Sequence, residues 1–260
     1  MRDHLEAGTI TLSGAGGDRI EAYAAHPVGR APSGGVVVIH HMPGYDQATK
    51  EITRRFAAWG WSAVCPNLHH RDAPGADPDD AAAASRANGG VPDEQLLGDV
   101  DGAARYLREH PSGSGPVATI GFCSGGRQSL LAGCGGLHLD AAIDCYGAFV
   151  LSEPPPERGL RMESLEPRLG DLSCPLLGLF GEEDKNPPPD EVDRLDTLLN
   201  ELDKPHEFHT FTDAGHAFFA VDRPSYRPAA ATEGWDLVHA FLTRHLGAGA
   251  PAEARSCAPT

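Results

Sequence analysis

A cysteine framed by glycines, at residues 121–126 (GFCSGG), is the position in this sequence best suited to nucleophilic chemistry. The run follows an apolar stretch typical of a buried strand and precedes a stretch with helical spacing, which predicts that Cys123 lies on a tight strand-to-helix turn. The spacing Gly-x-nucleophile-x-Gly is that of a nucleophile elbow, where larger side chains at the glycines would collide with the neighbouring strand or helix. A helix N-terminus beside the sulfur favours the thiolate. We therefore assign Cys123 as the nucleophile rather than as a buried structural cysteine.

Two further side chains follow predicted strands and complete a candidate catalytic triad. Asp184 follows the strand LLGLFG and precedes the proline-rich turn KNPPPD. His216 follows the strand HEFHTFT, and Gly215 before it is expected to adopt an unusual backbone conformation that aims the ring. The chain order of nucleophile, acid and histidine is that of α/β-hydrolases. The order predicts proton transfer by His216 and orientation of its ring by Asp184.

The other cysteines and histidines carry weaker signals. The cysteines form no Cys-x-x-Cys pair, a pattern that fits neither a zinc site nor a compact disulfide framework and indicates reduced thiols in a cytoplasm. The pair His69–His70 is interpreted as non-catalytic, because adjacent side chains on an extended chain point apart and rarely chelate one ion. The cysteines interpreted as structural are Cys65, Cys134, Cys145 and Cys174.

Strand and helix signals alternate along most of the chain. The segments TITLSG and RIEAYAAHP predict an opening hairpin, and the β-branched run GGVVVIHH predicts a buried parallel strand. Residues 69–91 are predicted to form a long surface excursion that is partly helical in DPDDAAAASR, and residues 148–172 are irregular. The alternation predicts an α/β fold of the α/β-hydrolase type, with a mostly parallel central sheet and helices on both faces. Functional loops in such sheets follow the carboxyl ends of the strands, where the three triad candidates are expected.

Bulk composition excludes several classes of protein. The chain has 260 residues, of which 40% are hydrophobic and 22% charged, and this is typical of a soluble globular protein. A formal net charge of −16 argues against nucleic-acid and anionic-membrane partners. There is no apolar run of about 18 residues and no apolar signal-peptide core, so a cytoplasmic location is expected. We predict one domain over residues 1–246 and a disordered tail over residues 247–260.

With these positions identified, the chain resembles the dienelactone hydrolase family over roughly residues 8–246. The segments that carry the resemblance are GFCSGG, GEEDKNPP, AGHAFF followed by DRPSY, and VVVIHHMPGYD followed by a helix and AVCPNLHHR. A cysteine at the elbow makes the resemblance specific, because most α/β-hydrolases use serine there. It implies a hydrolase that opens enol-lactones or related activated esters through a thioester intermediate, without cofactor or metal. The expected partner is a small-molecule ester or lactone.

The resemblance also implies roles for particular residues. The triad would consist of Cys123, His216 and Asp184, each at the position of the corresponding family motif. The oxyanion hole would use the backbone N–H of Ser124, directly after the nucleophile, and that of Met42, in the loop after the strand VVVIH.

Two positions depart from the family's prototype. The prototype's glutamate after the strand VVVIH is His41 here, and we expect His41 to set the resting state of the Cys123 thiol. The arginine that the prototype places four residues after the catalytic histidine is Ala220 here, so a substrate carboxylate would need other cations. The candidate substrate-binding residues are Arg86, Arg223, Tyr45 and Phe122.

Three other interpretations stay open. Glutamine-amidotransferase-like proteins also place a cysteine on an elbow, but their histidine is followed by x-Glu, whereas His216 is followed by Ala217 and Phe218. The fold could serve ligand binding or redox sensing instead of catalysis. It could also perform acyl transfer or a rearrangement in a biosynthetic pathway, because a fold does not fix a substrate. A monomer and a homodimer are both compatible with the sequence.

Overall fold

An eight-stranded sheet lies at the centre of the molecule in the computed structural model, which describes residues 4–110 and 115–247. The strands are β1 (Leu5–Ser13), β2 (Arg19–Pro27), β3 (Gly35–Ile39), β4 (Ser62–Pro66), β5 (Val117–Phe122), β6 (Ala141–Cys145), β7 (Leu176–Gly181) and β8 (His206–Phe211). Their order in space is β1-β2-β4-β3-β5-β6-β7-β8. β1 and β2 form the predicted hairpin and β2 pairs antiparallel with β4, whereas β3 to β8 are parallel to one another. The predicted tail at 247–260 lies, apart from Gly247, outside the described residues.

Six α-helices of the described chain connect these strands. They are α1 (Gln47–Trp59), α2 (Pro78–Ala87), α3 (Asp93–Glu109), α4 (Ser124–Cys134), α5 (Pro189–Glu201) and α6 (Pro228–Leu246). Helix α1 begins where the Asp46 carboxylate accepts a hydrogen bond of 2.8 Å from the N–H of Thr49. It ends at Gly60, whose φ of 103° reverses the chain at low steric cost.

Alternating side chains of each strand bury against helices on the two faces of the sheet. Val37 and Ile39 of β3 pack into a core with helices α3, α4 and α5. Val36 and Val38, one residue out of phase, pack into a second core with helices α1 and α6. Because both faces of the sheet are covered at its centre, strands β3 to β7 are buried along their whole length and are mostly apolar, as parallel strands require. The predicted fold class, an α/β-hydrolase arrangement with helices on both faces, is confirmed.

The segment after β4 is held by a buried ion pair. Arg71 donates hydrogen bonds of 2.9 and 3.0 Å to the two carboxylate oxygens of Asp99, whose side chain is fully buried, and one of 2.8 Å to Asp18. Asp99 also accepts a hydrogen bond from the N–H of Ala15. A buried carboxylate is tolerated only when it is paired in this way. The contact fixes the chain around residue 70, beside the end of β4.

The structure also bears on membrane association. Within residues 4–110 and 115–247, none of the helices combines the length and the apolar character that crossing a bilayer would require.

Candidate active site

Cys123 lies on a strained turn between β5 and α4. Its backbone has φ 57° and ψ −120°, a conformation that side-chain-bearing residues rarely adopt, and its N–H donates a 3.0 Å hydrogen bond to the carbonyl of Cys145. A Cβ on Gly121 would overlap the carbonyl oxygen of Gly125, and a Cβ on Gly125 would overlap that of Ile39. These two collisions explain why the turn requires glycines on both sides of the cysteine.

His216 and Asp184 meet at the same edge of the sheet. The His216 Nδ1 donates a hydrogen bond of 2.9 Å to Asp184 Oδ2, and the other carboxylate oxygen accepts one of 2.8 Å from the N–H of Asn186. Asp184 is buried, with 4% of its surface exposed. With Nδ1 bonded to Asp184, the other ring nitrogen of His216 is left for Cys123, which lines the same two cavities.

The pKa of His216 shows how these contacts act together. Burial lowers it, but the hydrogen bond that the ring donates to Asp184 and the interaction with Cys123, together with the charges of both groups, outweigh burial and raise the pKa to about 10. The imidazolium is therefore favoured at neutral pH, and a cation beside the sulfur stabilises a thiolate. The arrangement can hold a thiolate–imidazolium ion pair, which is the reactive form of a cysteine nucleophile.

Carboxamidomethylation of Cys123 is expected to lower the pKa of His216 below about 10, because the modification removes the thiolate charge that helps to hold the proton. The measurement is an NMR titration of the His216 ring in free and iodoacetamide-treated protein. The ring of His209 on β8 is the control, and its titration should not change. An unchanged His216 titration after full modification would contradict the ion pair.

The backbone that aims the His216 ring differs from the expectation. Gly215 does not adopt the left-handed conformation, and a Cβ there would meet its nearest atom, the carbonyl oxygen of Glu183, at an ordinary 3.7 Å. The prediction for Gly215 was therefore wrong. Instead, Asp213 (φ 55°) and Ala217 (φ 64°), on either side, take left-handed conformations and turn the loop.

Two cavities open on Cys123. The larger, about 670 Å³, lies between the elbow and the irregular segments that the sequence showed at 69–91 and 148–172. The smaller, about 210 Å³, lies on the side of α1 and α6 and is lined by aromatic rings. The residues that line both cavities are His41, Met42, Cys123 and His216. The sulfur therefore lies at the junction of two spaces of different size and character.

The two cavities separate the sequence-predicted substrate residues. Arg86 lines the larger cavity, whereas Arg223 and Phe122 line the smaller one. The structure does not bring Tyr45 to the site: it lines neither cavity, is buried, and lies under the ammonium of Lys50. The assignment of Tyr45 to substrate binding finds no support in this placement.

The residues predicted to form the oxyanion hole, Ser124 and Met42, and the residue predicted to modulate the thiol, His41, all line the larger cavity. Ser124, the first residue of α4, and Met42 both line the larger cavity beside Cys123. His41 lies next to Met42, with its Nε2 3.4 Å from Asp46. Burial lowers the pKa of His41, and the carboxylate of Asp46 opposes this effect. His41 is thus held toward α1, and its influence on the thiol stays a prediction.

His69 and Gln128 are among the buried polar side chains of the larger cavity that were not predicted from the sequence. His69, interpreted as unimportant, follows β4 by three residues and is 2% exposed; Gln128 lies in α4 and is 8% exposed. The position of His69 after a parallel strand was the signal that could have indicated it.

As for metals, no group of three or more His, Cys, Asp or Glu side chains in the described ranges is arranged to bind one.

Comparison with known proteins identifies the family of this chain. The profile of the dienelactone hydrolase family matches residues 20–246. The chain belongs to the dienelactone hydrolase family. A relative from Escherichia coli (strain K12), named “Putative carboxymethylenebutenolidase”, is 32% identical over 252 residues, covering 94% of this chain and 89% of its own. A relative of the same name from Salmonella typhimurium is 31% identical over 247 residues, covering 92% and 87%.

A solved structure supports membership of the dienelactone hydrolase family. The crystal structure of a protein from Klebsiella pneumoniae named “Putative Dienelactone Hydrolase” superposes with a TM-score of 0.82 at 28% identity, covering 93% of this chain and 100% of that one. The predicted family and its ester and lactone hydrolase class are thereby confirmed.

Proposed function

We propose that this member of the dienelactone hydrolase family cleaves an activated ester or lactone through a thioester on Cys123, with His216 moving protons and Asp184 holding the ring. The observation that carries the proposal is the placement of His216, whose Nδ1 donates to Asp184 at 2.9 Å and which lines both cavities together with Cys123. A histidine oriented by a carboxylate and turned toward a nucleophile is the arrangement that acyl transfer requires.

In the first half-reaction the Cys123 thiolate attacks the carbonyl carbon of the ester. The carbonyl oxygen becomes an oxyanion, and the N–H groups of Ser124 and Met42 are the proposed donors to it. Removing one such donor typically costs about 10²–10³ in turnover. The tetrahedral intermediate then expels the leaving alkoxide or enolate, which takes a proton from the His216 imidazolium.

In the second half-reaction the neutral His216 takes a proton from water, and the resulting hydroxide attacks the thioester. Collapse of this intermediate releases the acid and returns the thiolate and imidazolium. Loss of the thiolate charge in the thioester lowers the proton affinity of His216, which suits it to act as a base in this step. Asp184 stabilises the imidazolium each time it forms.

The two cavities support a substrate that extends on both sides of the sulfur. A thiolate is a strong nucleophile that is also readily expelled, so enol esters, lactones and thioesters should react, and amides should be poor substrates. We assign the acyl part to the larger cavity, which Ser124 of the proposed oxyanion hole lines, and the leaving group to the smaller aromatic one.

The described cysteines are unpaired, in keeping with the proposed cytoplasmic location.

The test is direct trapping of the thioester. Mixing the protein with 4-nitrophenyl acetate is expected to release about one equivalent of nitrophenolate in a burst, as accumulation of an acyl-enzyme requires. Mass spectrometry after acid quenching should find one acetyl group on the peptide that contains Cys123. The Cys257→Ala variant, which changes a cysteine far along the chain, should show the same burst. An acetyl group on another residue, or no burst at any ester concentration, would refute the proposal.

A further inference from the structure

Asp144, near the end of β6, is a buried carboxyl group that the proposed mechanism leaves unused. Its side chain is fully buried. Oδ1 accepts a hydrogen bond of 2.7 Å from the N–H of Gly147, whereas Oδ2 has no hydrogen-bond partner among the described residues. A buried carboxyl group that is only half satisfied costs free energy, so its presence behind the nucleophile requires an explanation.

The backbone closes tightly around this carboxyl group. In the sheet, Asp144 is in register with Gly121 of β5 and Gly178 of β7, so neither adjacent strand places a side chain at that level. On the helix side, a Cβ on Gly126 in the first turn of α4 would overlap Asp144 Oδ1. Asp144 therefore explains the last glycine of GFCSGG, which the spacing of the elbow alone does not require.

The turn that Asp144 holds contacts both the nucleophile and the base. The carbonyl of Cys145 accepts the 3.0 Å hydrogen bond from the N–H of Cys123. Tyr146 takes a left-handed conformation with φ 44°, and its ring packs edge-on against that of His216, with 5.3 Å between ring centroids. The hydrogen bond to Asp144 closes this turn. A change in Asp144 would therefore reach the sulfur and the imidazole together.

The surroundings of Asp144 favour its neutral form. Burial, assisted by the negative charge of Glu191 on α5, raises the pKa of Asp144 to about 7, and the hydrogen bond from Gly147 opposes this only in part. The guanidinium of Arg127 on α4 donates to Asp93 and to backbone carbonyls instead. The thiol and the phenol of the next two residues stay neutral, because burial raises the pKa of both.

We propose that Asp144 is a positioning residue for the triad: its neutral carboxyl group holds residues 145–147 in the catalytic geometry, and its ionisation disturbs that geometry and lowers activity. A buried carboxylate with one backbone donor would draw in water or further donors, and the turn would move. Its charge would also lie beside the first turn of α4, whose positive end favours the Cys123 thiolate. This inference rests on the proposed function, since Asp144 acts through the triad.

The test compares the pH profile of Asp144→Asn with that of the wild type. Asparagine keeps an acceptor for the N–H of Gly147 and cannot ionise, so it mimics the neutral carboxyl group. The ratio of variant to wild-type kcat/KM for 4-nitrophenyl acetate should be near one at pH 6. It should reach about ten at pH 8, one unit above the pKa of about 7. Asp190→Asn, at an exposed acid of α5, is the matched control, and its ratio should stay near one.

Two further variants separate positioning from a general loss of structure. Asp144→Leu has no acceptor for the turn, so its kcat/KM should fall below that of Asp144→Asn by about tenfold at both pH values. Glu191→Gln should move the wild-type loss of activity to lower pH, because the charge of Glu191 helps to raise the pKa of Asp144. If Asp144→Asn does not fold, Glu191→Gln decides, and an unchanged pH profile in that variant overturns the inference.

The alkylation rate of Cys123 distinguishes failure of this inference from failure of the proposed function. Iodoacetamide labelling is followed on the Cys123 peptide over the same pH range. If no ester is turned over but Asp144→Asn gains over the wild type in labelling rate between pH 6 and pH 8, the positioning role stands and the hydrolytic mechanism is wrong. A ratio of variant to wild type that does not change with pH in either assay overturns the positioning role.

Discussion

Replacement of Cys123 by alanine is expected to lower kcat/KM for 4-nitrophenyl acetate by at least about 10⁴-fold, since the nucleophile of a triad-type enzyme is the part whose loss costs most. The fold should survive, because alanine has the same backbone requirements as cysteine at φ 57° and the elbow's packing depends on Gly121 and Gly125. Steady-state kinetics gives the loss in activity, and urea unfolding of the same preparation gives the stability.

Serine at the same position provides a sharper control. Cys123→Ser keeps an oxygen nucleophile of similar shape, but its hydroxyl is far less acidic than a thiol and cannot form the ion pair with His216. We expect it to retain much less than a hundredth of wild-type activity. If Cys123→Ala kept more than a tenth of the activity, the nucleophile would have to be another residue.

Replacement of Asp184 by asparagine is expected to lower turnover by about 10³–10⁴-fold, because an amide neither selects the correct tautomer of the histidine nor stabilises its charged form. The pKa of His216 should fall well below about 10, since a hydrogen bond to Asp184 and the charge of that carboxylate both raise it. Kinetics and an NMR titration of the ring measure the two effects on one protein.

The same variant should change how stability depends on pH. The folded-state pKa of His216 is raised from 6.5 to about 10, so its protonation stabilises the wild-type fold fully below pH 6.5, and this contribution is lost as the pH rises through about 10. In Asp184→Asn this loss should shrink. Glu182→Gln, an exposed acid two residues earlier, is the control and should leave activity and titration as in the wild type. An Asp184→Asn enzyme with near-normal turnover would contradict the assigned role.

The elbow and the mostly parallel sheet could be predicted because their causes are local. The glycines around Cys123 are required by overlaps with backbone atoms a few residues away or on the adjacent strand, so sequence spacing alone indicates them. The central strands β3 to β7 can be recognised in the sequence as apolar runs because both faces of the sheet are buried there. The meeting of Asp184 and His216 follows from their positions after the neighbouring strands β7 and β8.

The surroundings of the sulfur could not be predicted because they depend on packing between distant segments. Arg86 lies at the larger cavity because of the course that residues 69–91 take through the fold. The residues next to Arg86 in the sequence do not indicate that course. The role of Gly215 was misjudged because the turn is made by left-handed residues on either side of it. His69 was dismissed on a rule about chelation, although its burial depends on the ring of His40 from another strand end.

The division of the space around Cys123 has a consequence for altering the enzyme. Among the described residues, the two cavities share only His41, Met42, Cys123 and His216 in their linings, so Gln128 lines one cavity and Trp235 lines the other. Distant substitutions without shared partners usually have additive free-energy effects. An engineer could therefore select variants for one half of a substrate, select separately for the other half, and combine the two sets with little epistasis.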